Sequence, residues 1–221
     1  MKRITRVLLI AATSALILLL IVAFMPPRLV MPVEGATIKS YHQNSFWVDK
    51  STIARKEYIL LLLSFSGEAN VKQVQQTIEQ FYKIKTTVVK ATMPEATSAH
   101  DRGRYNANKV LDYLHQQYPN KQVIALTSKD ICTNLNGQPC WGILGLSYLG
   151  KPYSVSSVHR IKSDKVKLLS KVAIHEVGHG LGLPHCKSAN PCLMKDAAGK
   201  ITTIKQQPMK FCKDCSRMFK G

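Results

Sequence analysis

The stretch His175-Glu-Val-Gly-His-Gly-Leu-Gly-Leu-Pro-His185 decides the reading of this chain. His175 and His179 are spaced to stand on one helix face, one turn apart, so their imidazoles can bind a single tetrahedral metal. Glu176, beside the first ligand, can reach a water on that metal. Gly182 supplies a turn that tolerates positive φ, and the turn can return His185 as a third ligand. Three protein ligands leave one position for water, which is the arrangement of a catalytic zinc site.

The residues before the stretch belong with it. Val166, Leu168, Leu169, Val172, Ala173 and Ile174 are apolar on more than one side of a helix, so the helix is central and buried. It starts at a cap on Ser163 or Asp164 and runs to about Leu181. Further upstream, Tyr58–Phe65 is a continuous apolar run that suits a buried strand. Val71, Val74, Ile78, Phe81 and Tyr82 recur at helical spacing, and Ile84–Val89 is a β-branched second strand. Ala107, Val110, Leu111, Leu114 and Tyr118 mark an amphipathic helix, followed by a third strand at Gln122–Thr127. Short strands at Gly142–Leu149 and Tyr153–Val158 complete the series, and the first of them can offer an open edge to an extended substrate. The alternation predicts an α/β (α+β) fold, a mixed twisted sheet with a central zinc-binding active-site helix.

Downstream of the stretch come Cys186, Cys192-Leu-Met194 and Cys212-Lys-Asp-Cys215. The zinc stretch resembles the metzincin clan of zinc endopeptidases. With the following Cys, the Cys-x-Met and the CxxC, residues 57–221 resemble the archaemetzincin family. Arg104-Tyr105 opening a helix, Thr127–Asp130 and Ser156–Arg160 look like further family landmarks.

The resemblance implies a metzincin-like peptidase in which Glu176 is the general base, acting on a zinc-bound water, for hydrolysis of a peptide or protein. It also implies that Met194 is the Met-turn residue beneath the zinc imidazoles. Cys186, Cys192, Cys212 and Cys215 would hold a second, structural zinc, giving two zinc ions per chain. Four thiolates can close a tetrahedral site, although two disulfides would also satisfy the same cysteines outside the cell. No tyrosine follows Tyr153, so the tyrosine that some metzincins place beyond the Met-turn has no counterpart. Two other functions fit the motif: an aminopeptidase, and a zinc-stabilised binding module without catalysis. Retention of Glu176 argues against the module, because a purely structural metal has no use for that carboxylate.

Cys132 and Cys140 stand outside this signature and flank a turn-forming segment, Thr-Asn-Leu-Asn-Gly-Gln-Pro. They can close a disulfide or remain two buried thiols.

At the N-terminus, Met1–Arg6 carries three cations, and the run Val7–Met25 has no charge. Its length matches the ~30 Å hydrocarbon core of a bilayer. Residues 1–25 therefore read as an uncleaved signal anchor that puts the remainder outside the cytoplasm, with a cleaved signal peptide and secretion as the alternative. Residues 26–56 read as a linker. The 221 residues suffice for one catalytic domain with a sizeable core. Apolar residues at 45% and charged residues at 20% exclude disorder along the whole chain. The formal charge of +18 is of the kind that suits nucleic acid, but the lysines are scattered and no nucleic acid is expected for an exported domain. Loose attraction to an anionic envelope fits better, and a charge with no specific role better still.

Overall fold

Alternate residues of the first strand, β1 (Tyr58–Leu63), are buried in opposite directions, and this splits the core into two layers. Leu60 and Leu62 pack with helix α1 (Val71–Tyr82) and the long helix α3 (Lys165–Gly180), while Leu61 and Leu63 pack with helix α2 (Ala107–Gln117). A strand covered on both faces favours apolar residues on both, which is why β1 and the centre of β4 (Gln122–Thr127) read as continuous runs. With β2 (Thr86–Ala91), β7 (Gly145–Ser147) and β8 (Tyr153–Ser157) they form a five-stranded sheet in the order β2-β1-β4-β8-β7. All pairs are parallel except β7 with β8, so the sheet is mixed and β7 is its antiparallel edge. The computed structural model describes residues 56–218. The expected anchor at residues 1–25, and the linker up to residue 55, lie outside these. Among the described residues no helix is long and apolar enough to cross a membrane.

A second, three-stranded sheet holds β3 (Tyr105–Asn106), β5 (Ile131–Leu135) and β6 (Gln138–Ile143). The expected single strand over Gly142–Leu149 is instead two: Gly142 and Ile143 end β6 in this small sheet, and β7 begins at Gly145 in the large one. The chain changes sheets at Leu144, which is buried. The second strand also starts later than predicted, because Ile84 turns into the core before Thr86. Arg104-Tyr105 does not open a helix. Tyr105 and Asn106 pair with β5, and the Asn106 side chain then caps α2 by accepting the N–H groups of Asn108 (3.0 Å) and Lys109 (3.2 Å). Asp164 does occupy the cap position of α3, but in a left-handed conformation and without a side-chain cap bond. Two short helices, α4 (Ile201–Gln206) and α5 (Lys213–Arg217), lie beyond it.

The hairpin of β5 and β6 is tied down at its base. Asp130 accepts from Arg160 at 2.7 and 2.8 Å and from Arg104 at 3.0 Å, and Arg104 also donates to the Cys140 carbonyl at 2.8 Å. Burial alone would raise the Asp130 carboxyl, but the guanidinium hydrogen bonds and charges hold it below its usual range. The Cys132 and Cys140 sulfurs are bonded to each other across the hairpin, with Cα atoms 4.8 Å apart.

Candidate metal centres

Helix α3 ends in a motif that returns the chain toward its own last turn. Gly182 N–H donates to His179 O at 2.8 Å and Leu183 N–H to Gly178 O at 2.9 Å, with Gly182 at φ +97. This is a Schellman arrangement, and its left-handed residue explains the glycine. His185 is thereby brought back to His175 and His179, with ring centroids 5.4 and 4.7 Å from theirs.

The three imidazoles suit a cation. His175 Nδ1 lies 2.8 Å from Leu193 O, and His179 Nδ1 lies 2.7 Å from Leu183 O. A carbonyl oxygen only accepts, so each Nδ1 carries the proton and each Nε2 presents a lone pair. Those two Nε2 atoms are 3.0 Å apart. Two lone pairs so close repel unless a cation lies between them. Burial pushes His175 down to about 4 and His179 to about 3, so both rings are neutral and available as ligands at neutral pH.

Glu176 is buried, and burial alone pushes its carboxyl up to about 8. A cation among the histidines favours the ionised form and opposes that shift. Its side chain lies against Gly145 of β7, where an added Cβ would stand 2.6 Å from Oε1. A cleft of about 590 Å³ opens between β7, the β5–β6 hairpin and the segment after α3, and His175, Glu176, His179 and His185 all line it.

Met194 is fully buried under the same turn. A Cβ on Gly178 would come within 2.6 Å of its Sδ and 3.5 Å of the Tyr82 hydroxyl, which itself donates to Ile174 O at 2.5 Å. This reverses an ordinary expectation. Gly to Ala inside a helix normally gains about 1 kcal/mol, whereas Gly178→Ala should lose about 1–3 kcal/mol through overpacking. Denaturant unfolding of both proteins checks the sign, and an equal or more stable Ala variant would refute it.

The four remaining signature cysteines form a second cluster. Cys186, Cys192, Cys212 and Cys215 are unbridged, and their sulfurs lie within 4.8 Å of one another. Cys186 Sγ is 3.6 Å from Cys212 Sγ, and Cys212 N–H points at Cys192 Sγ at 3.2 Å. Against burial, hydrogen bonds from the Cys215 backbone and the neighbouring thiols bring Cys212 down to about 7, while burial pushes Cys186 and Cys215 up. One thiolate supported by a backbone N–H and by neighbouring thiols among close sulfurs is a donor set for a soft cation such as zinc. The geometry thus gathers the predicted residues into a histidine group and a cysteine group, with Cys132 and Cys140 apart from both.

Sequence reasoning missed four supports: Gly145, Gly178, and the carbonyls of Leu183 and Leu193. Backbone acceptors leave no residue-type signal. Gly178 stands inside the motif, but only its contact with Met194 gives it meaning.

The model of peptidase family M54 matches residues 53–221. The archaemetzincin of Nanoarchaeum equitans is 27% identical over 145 residues, spanning 65% of this chain and 79% of its own. That of Archaeoglobus fulgidus is 32% identical over 120 residues, spanning 52% and 68%. Among solved structures, the A. fulgidus archaemetzincin complexed with malonate superposes with a TM-score of 0.63 at 24% identity, covering 73% of this chain and 99% of that one. The Methanopyrus kandleri archaemetzincin gives 0.60 at 24% identity, covering 72% and 92%.

Proposed function

From the premise that this chain belongs to peptidase family M54 and is a zinc metallopeptidase, we propose that it hydrolyses peptide bonds with Glu176 as general base, holding a catalytic zinc on His175, His179 and His185 and a structural zinc on the four cysteines. The observation that carries this is the buried Glu176 carboxyl in the same cleft wall as the converging histidines. When bound, zinc supplies a Lewis acid that acidifies water and polarises the scissile carbonyl. Glu176 takes the water's proton and later delivers it to the leaving amine. The Leu183 and Leu193 carbonyls fix the imidazole tautomers, and Met194 gives them an apolar floor. β7 ends the large sheet, so an extended peptide can pair along it and lie over Glu176.

A digest of N-acetylated peptides, run alongside metal analysis, tests the reading. Two zinc ions per chain and cleavage at internal bonds are expected. Cleavage of free-amine peptides alone would make the protein an aminopeptidase, and two zinc ions without any cleavage would make it a binding module.

The uncharged run Val7–Met25 behind three cations supports a further part of the proposal: the catalytic domain is tethered on the outer face of a membrane. Protease added to intact cells should then digest a protein that fractionates with membranes. Recovery from the cytoplasm in soluble form would overturn the tether.

A further inference from the structure

We propose that the β5–β6 hairpin forms a subsite for one aromatic or large aliphatic side chain of the peptide substrate, with Trp141 and Leu135 as its walls. The inference rests on the peptidase reading above and adds a substrate preference to it.

Thr133, Leu135, Trp141 and Ile143 line the same cleft as Glu176 and the three histidines. Thr133 and Trp141 are direct cross-strand partners, so they share one face of the hairpin. Large apolar side chains left in water are few among the described residues. Leu135 and Trp141 are each 42% exposed and Leu149, just beyond β7, is 48% exposed, and all three border this cleft. Exposed apolar surface concentrated beside a reactive centre marks a contact surface. The occupant is a segment of the substrate because the surface is continuous with the candidate catalytic groups.

Charge points to an apolar occupant. The hairpin contributes no ionisable side chain to the cleft. Lys195 and Asp196 line the cleft from the segment after α3 and not from the hairpin, and Lys171, which also lines it, is turned away from substrate. Its ammonium group donates to the carbonyls of Ile204 (3.0 Å), Lys205 (3.1 Å) and Gln207.

The wall is also held in place. The Cys132–Cys140 disulfide crosses the hairpin one residue from Thr133 and one from Trp141. Arg160 fills the space over Gly142, where a Cβ would meet its guanidinium, and bonds Asp130 at the base of the hairpin. Across the cleft the indole Nε1 reaches Gly199, lying 3.5 Å from where a Cβ would be. A surface fixed before binding loses less entropy when substrate arrives.

The test uses the zinc-loaded full chain and quenched fluorescent peptides varied one position at a time around the cleaved bond. At one position Phe, Tyr, Trp or Leu should raise kcat/KM by at least about tenfold over Ala, Ser, Asp or Lys. Trp141→Ala and Leu135→Ala, at normal zinc content, should each bring that ratio toward one. Val88→Ala, exposed but away from the cleft, should leave it intact. Joint replacement of Cys132 and Cys140 by Ala should raise KM more than it lowers kcat. If cleavage shows no such preference, or the preference survives both Trp141→Ala and Leu135→Ala, the subsite is wrong and the peptidase reading stands. If the zinc-loaded chain cleaves no peptide, the peptidase reading falls and the subsite with it.

Discussion

Replacing Glu176 by glutamine should lower peptidase turnover by about 10²–10⁴-fold and leave both zinc ions in place. Glutamine keeps the volume and a hydrogen-bonding end, and it fits the space against Gly145 that the glutamate fills. It cannot accept a proton. The three histidines are untouched, as are the carbonyls that orient His175 and His179, so metal content should not change. His179→Ala should behave differently, because it removes a ligand and loses metal and activity together. The pH profile carries a second sign. The base works only when ionised, so turnover in the unmodified protein should fall as pH drops through the Glu176 pKa. Burial raises that pKa toward 8 and the zinc charge lowers it again. The acid limb should disappear from whatever activity the glutamine variant retains. Full turnover at full zinc content in that variant would remove Glu176 from the mechanism.

The parts of the molecule legible in the sequence are those where one physical requirement acts on every residue of a segment. β1 and β4 lie between two helical layers, so their central positions, residues 59–63 and 123–126, are apolar on both faces and the strands read directly. Helix α3 is buried nearly all round, and its two histidines of the candidate metal centre sit at helical spacing within that apolar frame. The β5–β6 hairpin has no such uniformity. One of its faces lines the cleft, Pro139 interrupts β6, and polar residues occupy both strands. Its one strong local signal was Asn136-Gly137, whose φ values of +49 and +77 match the tight turn that this pair favours. The break at Leu144 was not legible either. Gly142 to Leu149 is one pattern in sequence, and only the competition between two sheets divides it. The supports of the metal centre depend on Leu183 and Leu193 as carbonyls, for which any side chain would serve.

Replacing Cys212 by serine should cost the protein more than one zinc ion. Residues 182–218 contain only the short helices α4 and α5, so little backbone hydrogen bonding holds this segment by itself. The cysteine cluster gathers it from three places: Cys186 directly after a histidine ligand, Cys192 before Met194, and the Cys212–Cys215 pair. Structural zinc sites in small modules contribute about 10–16 kcal/mol of apparent folding free energy. The connections then run inward. Cys186 N–H donates to Met194 O at 2.8 Å, Leu193 N–H to Lys210 O at 2.9 Å, and Leu193 O accepts from His175 Nδ1–H. Loosening the cysteine site therefore displaces the floor beneath the imidazoles and the acceptor that orients His175, and loss of such support typically lowers metal affinity about 10–100-fold. Cys212→Ser should lose its own zinc, weaken the histidine-bound zinc, and expose the backbone of residues 182–218 to rapid hydrogen exchange. His179→Ala should lose one zinc and leave that segment largely protected, because all four sulfurs of the cysteine cluster remain in place. Metal analysis and hydrogen exchange on both variants decide the order of dependence. A Cys212→Ser protein that keeps its catalytic zinc and full protection would show that the two centres are independent.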